Sequence, residues 1–521
     1  MAAFGSIGPQ GYQVPYTLAQ LISKRQPQEE RMPRTPSRRT ALQGLAAGVA
    51  VVGFDPFSRS WATTTTRTTG RTLAGLPPLD GSVHTDDASL AADADDFGHI
   101  VHRRPAAVLR PGSVRDVVAM VRFCNEHGVS VAPRGQGHAT QGQAQVDGGL
   151  VIETTPLASI GPVGPGSTTV TVGAGARWSE VARATLAHGL TPPTFTDYLE
   201  LSVGGTLSVG GLGGQTHQQG AQVDNVTELQ VVTGAGDLVR CSPTRHRDLF
   251  HAVLAGLGQC AVIVGATLRL VPAPVTVRHY LLPYDDLRTF LDDQRLLVQE
   301  GRFDYVEGQV SADADGAFRG YVIEAVAYGP PVGPAPDDTA LLRGLRHDPA
   351  GVQTSDLGYY DFLDRLAASV AALKEAGLWA FAHPWLNLLL PGRSAATLAE
   401  SLLADLTPAD LGPGVVLLYP VLRKNLHTPL LRTPDDPVSY LLAVLRTTAP
   451  DDTATVDRLL AANRAAYDTV HAAGGTHYPV GSVPFGAADW REHFGPVYRR
   501  LATARHTYDP RGILVPGQGV F

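Results

Sequence analysis

The chain has 521 residues, 44% of them hydrophobic and 17% charged, with a formal net charge of −7. That length exceeds the usual single domain, so two lobes are expected, and the mild acidity supplies neither a nucleic-acid surface nor a polybasic membrane anchor. Its three cysteines, Cys124, Cys241 and Cys260, are too few and too widely spaced for a zinc site or a disulfide framework, so no metal is expected and the partner should be a small molecule.

Near the start, Arg38-Arg39 precedes an uncharged, largely apolar run from Ala41 to Phe54, followed by the small residues Ser60 and Ala62. This is the pattern of a twin-arginine export signal, and the run is too short to span a bilayer as a helix. The other reading is an Arg-rich linker beside a buried helix. Met32 offers an alternative start. Residues 1–78 are therefore expected to hold a signal and a Thr-rich linker over Thr63 to Thr69, the product is expected outside the cell, and ordered structure should begin between Leu79 and Asp96.

The pattern from Ala106 to Val131 is strand, turn, helix, strand. Ala107-Val108-Leu109 is the first strand, Pro111-Gly112-Ser113 starts a helix carrying Val117, Val118, Val121 and Phe123, and Val129-Ser130-Val131 is the second strand, which implies a βαβ unit. It runs into Pro133 to Gln145, PRGQGHATQGQAQ, where Gly135, Gly137 and Gly142 let successive backbone amides approach one anionic group. The spacing is not the G-x-G-x-x-G of a dinucleotide fold. His138 inside this loop reads either as a satisfied side chain or as an attachment point for a cofactor. Strands at Gly149 to Glu153 and Thr168 to Val172 and a helix from Trp178 to His188 follow.

A second glycine-rich stretch, Thr194 to Gly214, offers close-approach backbone and hydroxyls at Gly204 to Ser208. Within it Asp197, flanked by Phe195, Tyr198 and Leu199, reads either as a turn former or as a partly desolvated base. Val226 to Val239 alternates and turns at Gly234 to Asp237, Asp248 starts a helix, Val262 to Val264 and Leu268 to Leu270 are two strands, and Pro272 to Pro274 marks a boundary.

Beyond that boundary, helices are expected over Leu282 to Glu300 and Leu357 to Leu378, with Leu363, Leu366, Val370 and Leu373 packing into the core. Strand-like runs at Phe303 to Val310, Gly320 to Tyr328, Gly414 to Pro420 and Ser439 to Thr447 suggest an antiparallel sheet covered by helices.

Taken together, the glycine loop with its internal His138, Thr196-Asp197-Tyr198-Leu199, Val203 to Ser208, Asp248-Leu249-Phe250 and Gly256 to Gln259 resemble the flavin lobe of vanillyl-alcohol-oxidase-type FAD oxidoreductases. Phe303 to Gly308, His383 to Leu388, Glu492 to Gly495, Tyr508 to Pro510 and Ile513 to Gln518 resemble, in order, segments of cytokinin dehydrogenases within that group. The likeness runs from about Val101 to Phe521. It implies an α+β, two-lobed FAD-linked oxidase fold: a PCMH-type FAD-binding domain over 79–274, a substrate domain over 275–477 built on an antiparallel sheet, and a return segment over 478–521.

The resemblance also implies residue roles. His138 would carry a covalent bond to FAD. Further cofactor contacts would come from Arg134, Gly135, Gln136, Gly137, Ala139, Gln143, Asp197, Ser202, Ser208, Leu212, Ile263, Tyr478 and Gln518. Asp197 would take a proton from the substrate amine while hydride leaves for flavin N5, and Glu307 would orient a purine ring. Trp385, Asn387 and Pro479 would line the substrate pocket. Read alone, Glu307 is a solvated strand residue and Trp385 a core residue. The implied substrate is an N6-substituted adenine of the isopentenyladenine type, the acceptor a quinone-like molecule or oxygen, and the oligomer a monomer or weak assembly.

Two departures stand out. Ala139 occupies a position that is usually Ser in the family, removing one hydroxyl, and Tyr478-Pro479-Val480 with the longer Gly481 to Ala488 replaces a Tyr-Leu-Pro. The second departure predicts an altered pocket wall and a shifted or broader substrate range. An oxidase of another amine, an alcohol or a sugar, and a flavin- or cytokinin-binding protein without turnover, are the alternatives.

Overall fold

A computed structural model describes residues 75–329, 336–514 and 517–521, with the backbone of three short antiparallel strands upstream, Ala50–Asp55, Ser60–Thr64 and Arg71–Thr72. Arg38-Arg39 and the first part of the apolar run lie outside the described residues. So do residues 65–69 of the Thr-rich run, while Thr63 and Thr64 end the second of those strands.

In the first lobe, continuous apolar runs form a sheet ordered Ser82–His84, Ala107–Arg110, Leu150–Glu153, Val131–Arg134, the last three parallel. Unbroken apolar runs suit such strands because both faces are covered. Helix Val114–His127 crosses between two of them: the Ser113 side chain accepts from the Arg115 amide at its start, and Gly128, at φ +68°, ends it. The glycine loop leaves the edge strand at Arg134. Beside it lies an antiparallel sheet ordered Leu238–Cys241, Val226–Thr233, Ala261–Arg269, Thr169–Gly173. Here the two strands expected around Val262 and Leu268 are one. Gly265, which interrupts the apolar pattern, is paired on both sides, with Gln230 and Gly173, and a Cβ there would lie 3.2 Å from the Val172 carbonyl.

The second lobe is an eight-stranded antiparallel sheet ordered Gln353–Gly358, Thr276–Tyr284, Phe318–Tyr328, Tyr305–Ala312, Val415–Leu422, Val438–Leu445, Leu386–Pro391, Thr476–His477. Two helical expectations need correction. Leu282 to Tyr284 belong to a strand, and the helix begins only at Leu287, where Asp286 accepts from the Thr289 amide. The stretch from Leu357 breaks into the end of an edge strand, a short helix Tyr359–Leu363 and a helix Ala367–Glu375. Leu363 is buried, but Ala367–Glu375 buries no residue, so Leu366, Val370 and Leu373 do not pack into the core as expected. Its small apolar residues are spread around the helix instead of lying along one stripe.

The lobes share one apolar cluster in which Phe195 and Leu212 of the first meet Tyr305 and Tyr419 of the second, with Tyr478 of the returning segment. Farther on, the Val131 amide donates to the Ile513 carbonyl at 2.8 Å, and Asp509 accepts from the Ile513 and Leu514 amides. A polar clasp adds to this. Asp224 Oδ1 accepts from the His427 and Thr428 amides and the Thr428 hydroxyl, at 2.8–2.9 Å, while its Oδ2 accepts from the Ala221 amide. Because Asp224→Ala would leave these donors without their charged acceptor, we expect it to cost roughly 2–4 kcal/mol in urea-induced unfolding of the holoprotein.

Candidate active site

Backbone geometry builds the site from the glycine loop outward. Gly137 and Gly142 take φ of +67° and +73°, and a Cβ on Gly135 would lie 2.0 Å from Ser202 Oγ, so the two glycine-rich stretches touch. Arg134 lays its guanidinium against Gly137 of the loop and ties it to the segment before Phe97: Nη1 donates to the Asp95 carbonyl at 2.6 Å and Nε lies 3.0 Å from Asp93 Oδ1. That brace delivers Asp96-Phe97-Gly98 against the loop. Asp96 Oδ2 accepts from the Gly142 amide at 2.7 Å and Oδ1 from the Gly98 amide at 3.0 Å, and burial raises its pKa to about 7.

Phe97 fills the space between two imidazoles. Its ring stacks on His138 with centroids 4.0 Å apart and 15° between planes, and on His383 at 3.8 Å and 20°. Tyr198 lies 5.1 Å from the His138 ring, and Trp379 and Trp385 each lie 5.8 Å away. Burial in this aromatic box pushes the His138 pKa down to about 4 and that of His383 to about 3, so both rings are neutral at ordinary pH.

The second glycine-rich stretch forms a short helix, Val203–Leu207, with Ser202 at its N-cap position. Ser208 spends its hydroxyl on the Gly204 carbonyl at 2.8 Å, Leu212 is buried, and the Gly211 amide donates to Tyr478 Oη at 3.0 Å. Gln143 Oε1 accepts from the Thr140 and Gln141 amides. A cavity of about 620 Å³ lies against Gln143, Pro479, Trp490 and Gln518. Among the described residues Gln518 Oε1 is buried without a partner beside it. The Ala139 carbonyl accepts from the Gly98 amide, Gln136 is exposed, and Ile263 is buried in the antiparallel sheet.

A cluster of carboxylates forms beside this region, where the Asp197 turn of the first lobe meets the sheet of the second. Asp197 Oδ1 accepts from Tyr305 Oη and Arg365 Nη2, each at 2.8 Å, and Arg365 Nη2 also donates to Tyr305 Oη. The same guanidinium reaches Glu324 through Nε at 3.0 Å, and His279 Nε2 lies 3.0 Å from Glu324 Oε1. Glu307 is cross-strand to Glu324, 1% exposed, and its Oε1 has no partner. Burial, and then the charge of Asp197, hold its pKa well above the usual carboxylate range. Trp385 Nε1 and Asn387 Nδ2 are likewise buried and without partners among the described residues. The sequence-selected His138, Asp197, Glu307, Trp385 and Asn387 thus lie around one region, whereas Tyr305, Arg365, Phe97, Trp379 and His383 were not singled out as site residues.

The segment that departs from the family pattern is pinned. Tyr478 and Ser482 donate their amides to the Asn387 and Trp385 carbonyls at 3.0 and 2.7 Å. Thr140 Oγ1 donates to the Val480 carbonyl and Ser482 Oγ to the Thr140 carbonyl.

Comparison with known proteins places this site in a family. Residues 335–521 match the model "Cytokinin dehydrogenase 1, FAD and cytokinin binding", and residues 105–242 match "FAD binding domain". The chain is 36% identical to cytokinin dehydrogenase 10 of Oryza sativa subsp. japonica over 490 residues, covering 84% of this chain and 88% of that one. It belongs to the cytokinin dehydrogenase family. An oxidoreductase from the fasciation locus of Rhodococcoides fascians is 41% identical, covering 84% of this chain and 99% of the relative. The fold is shared with 6-hydroxy-D-nicotine oxidase of Arthrobacter nicotinovorans (TM-score 0.64, 22% identity, 85% and 98% covered). It is also shared with a VAO-type flavoprotein of Myceliophthora thermophila C1 (TM-score 0.63, 21% identity, 80% of each chain).

The cofactor of this family member is FAD, and the residues present fit it: a two-loop backbone cradle that Cβ atoms would fill, and the unpartnered Gln518 Oε1 at the adjoining cavity. The chain is an FAD-dependent oxidoreductase of the class acting on CH–NH donors. Among the described residues no helix is long and apolar enough to cross a membrane.

Asp96 yields a pH signature. Its folded pKa of about 7 lies above the unfolded value of about 3.9, so between these the native state holds the extra proton and this group's contribution falls as pH rises. The melting-temperature advantage of the wild type over Asp96→Asn should therefore shrink from pH 5 to pH 8. Calorimetry of both proteins across that range checks it.

Proposed function

We propose that the chain oxidises the N6 side chain of isopentenyladenine-type cytokinins, releasing adenine and an aldehyde after hydrolysis of the imine. The observation that carries this reading is the set Asp197–Tyr305–Arg365 beside the buried Glu307, whose Oε1 has no partner among the described residues, in a chain related to cytokinin dehydrogenases. FAD, when bound, accepts the hydride from the carbon next to the amine nitrogen. Tyr305 and Arg365 converge on Asp197 Oδ1, which fixes the carboxylate's orientation and leaves Oδ2 to take the amine proton. Glu307, kept protonated, donates to an acceptor nitrogen of the purine ring. Trp385 supplies an apolar wall, and Asn387 Nδ2 supplies a second polar contact.

The backbone of Arg134 to Ala139 with Gln143, Ser202, Ser208, Leu212, Ile263, Tyr478 and Gln518 would hold the cofactor, with His138 as its covalent tether. The division into 79–274 with 478–521 and 275–477, electron delivery to a quinone-like molecule or oxygen, and twin-arginine export belong to the same proposal. Since Thr140 and Ser482 pin the segment around Pro479, the altered wall is a fixed feature of the pocket and favours a broader amine range than isopentenyladenine alone.

Anaerobic mixing with isopentenyladenine should bleach the flavin absorbance of the wild type. Asp197→Asn should slow bleaching by roughly 10²–10⁴-fold while leaving the protein yellow. Glu307→Gln, which preserves a neutral hydrogen-bonding side chain, should retain far more of the rate than Glu307→Ala. Full-speed bleaching by Asp197→Asn would remove it as the base, and an unbleached wild type would remove the substrate assignment.

A further inference from the structure

The aromatic column at the glycine loop has a purpose that the substrate chemistry does not use. His138 must present one ring nitrogen to the cofactor if it is the tether, yet it sits on a glycine-rich loop whose backbone is permissive by design. A ring on such a loop needs an external reference. Phe97 provides one face of it, 4.0 Å from the His138 centroid and 15° from parallel, and His383 backs Phe97 from the far side at 3.8 Å.

The backbone on which this column stands and the His383 ring are fixed by hydrogen bonds. The Phe97 amide donates to the Gly137 carbonyl at 2.9 Å and the Gly98 amide to the Ala139 carbonyl at 3.0 Å, so the backbone on both sides of His138 is bound to the backbone around Phe97. The His383 amide donates to the Gly98 carbonyl at 2.9 Å, and its Nδ1 donates to the Phe97 carbonyl at 2.8 Å. Phe97 and His383 are 8% and 4% exposed. The stack therefore runs from the flavin lobe through Phe97 to the first residues of the substrate lobe's Leu386–Pro391 strand region. It closes only when the two lobes are docked.

We propose that Phe97, backed by His383, is a positioning residue for covalent attachment, holding the His138 imidazole in the orientation from which it bonds to the flavin. The inference rests on the His138 tether reading. In the step, an imidazole nitrogen forms a bond to a methyl carbon on the flavin's benzenoid ring. One C–H bond of that methyl breaks, and the imidazole gives up its N–H proton. The electron pair of the broken C–H bond enters the flavin, which is thereby reduced with uptake of two protons. The enzyme's electron acceptor, oxygen or a quinone, then restores the oxidised flavin. Burial keeps His138 in the neutral form that this attack requires.

Holoprotein is precipitated with acid, and the yellow colour kept in the pellet is compared with total FAD released by denaturant plus pellet. The wild type should keep its colour and His138→Ala should lose it. Phe97→Leu, close in volume and apolar, should still bind FAD but make the colour acid-stable roughly ten- to a hundred-fold more slowly after apoprotein is mixed with FAD. Phe97→Tyr should restore the wild-type rate by restoring the stack. Equal tethering rates in Phe97→Leu and wild type would overturn the positioning role while leaving the tether intact. Loss of all FAD from Phe97→Leu would overturn it too, showing a structural part only. A colourless wild-type pellet would remove the tether reading, and this inference with it.

Discussion

One guanidinium among three carboxylates sets the terms for the rest of the site. Asp197, Glu307 and Glu324 come together where the sheet of the second lobe meets the Asp197 turn, and Arg365 bridges two of them. The buried Glu307 and Glu324 with the partly exposed Asp197 put three negative charges around one positive charge, and the mutual repulsion and desolvation of the carboxylates exceed what one Arg returns. The system resolves this by protonation. Asp197 and Glu324 hold the donors, Glu307 holds none at Oε1, and Glu307 is the group driven toward its neutral form. One carboxyl group of the three is thereby set apart from the others by its surroundings alone.

The same constraint explains why a buried arginine sits just before a surface helix. Arg365 lies between Tyr359–Leu363, which is buried in part, and Ala367–Glu375, which buries nothing, and at the far end of the latter Trp379 meets His138 and Tyr198. The helix is thus held by what flanks it and not by its own face. Its apolar composition, which suggests core packing on reading the sequence, gives no guide here. What mattered was the absence of a stripe.

How far the sequence reveals this molecule depends on which interactions are local. The βαβ unit, the hairpin at Gly234 to Asp237 and the positive-φ glycines are legible because caps, turns and apolar runs are short-range signals. Strands Thr276–Tyr284 and Gln353–Gly358 were not legible, since one carries Leu281-Leu282 and Pro283 next to a true helix and the other pairs only at an edge. Asp197 and His138 each leave two readings open in the sequence, and the family resemblance chooses between these and adds Glu307. Tyr305 could have been added from spacing, being two residues before Glu307 and so on the same face of its strand. Phe97, Arg365 and His383 could not, because their importance comes from contacts across tens to hundreds of residues of chain.

Those long-range contacts share a property. The Asp224 clasp, the Arg365 bridge to Asp197, the Phe97–His383 stack and the Thr140–Ser482 exchange each join one lobe or segment to another. The first three of these arrangements do not exist within the flavin lobe or the substrate lobe alone, and the last ties the returning segment to the glycine loop. A chain built this way brings Asp197, His138 and the segment around Pro479 into place as its lobes and segments dock, so the completeness of the site reports the completeness of folding. The cost of concentrating buried polar groups at that junction is offset by the apolar cluster around Phe195, Tyr305, Tyr419 and Tyr478, which is itself continuous between the lobes.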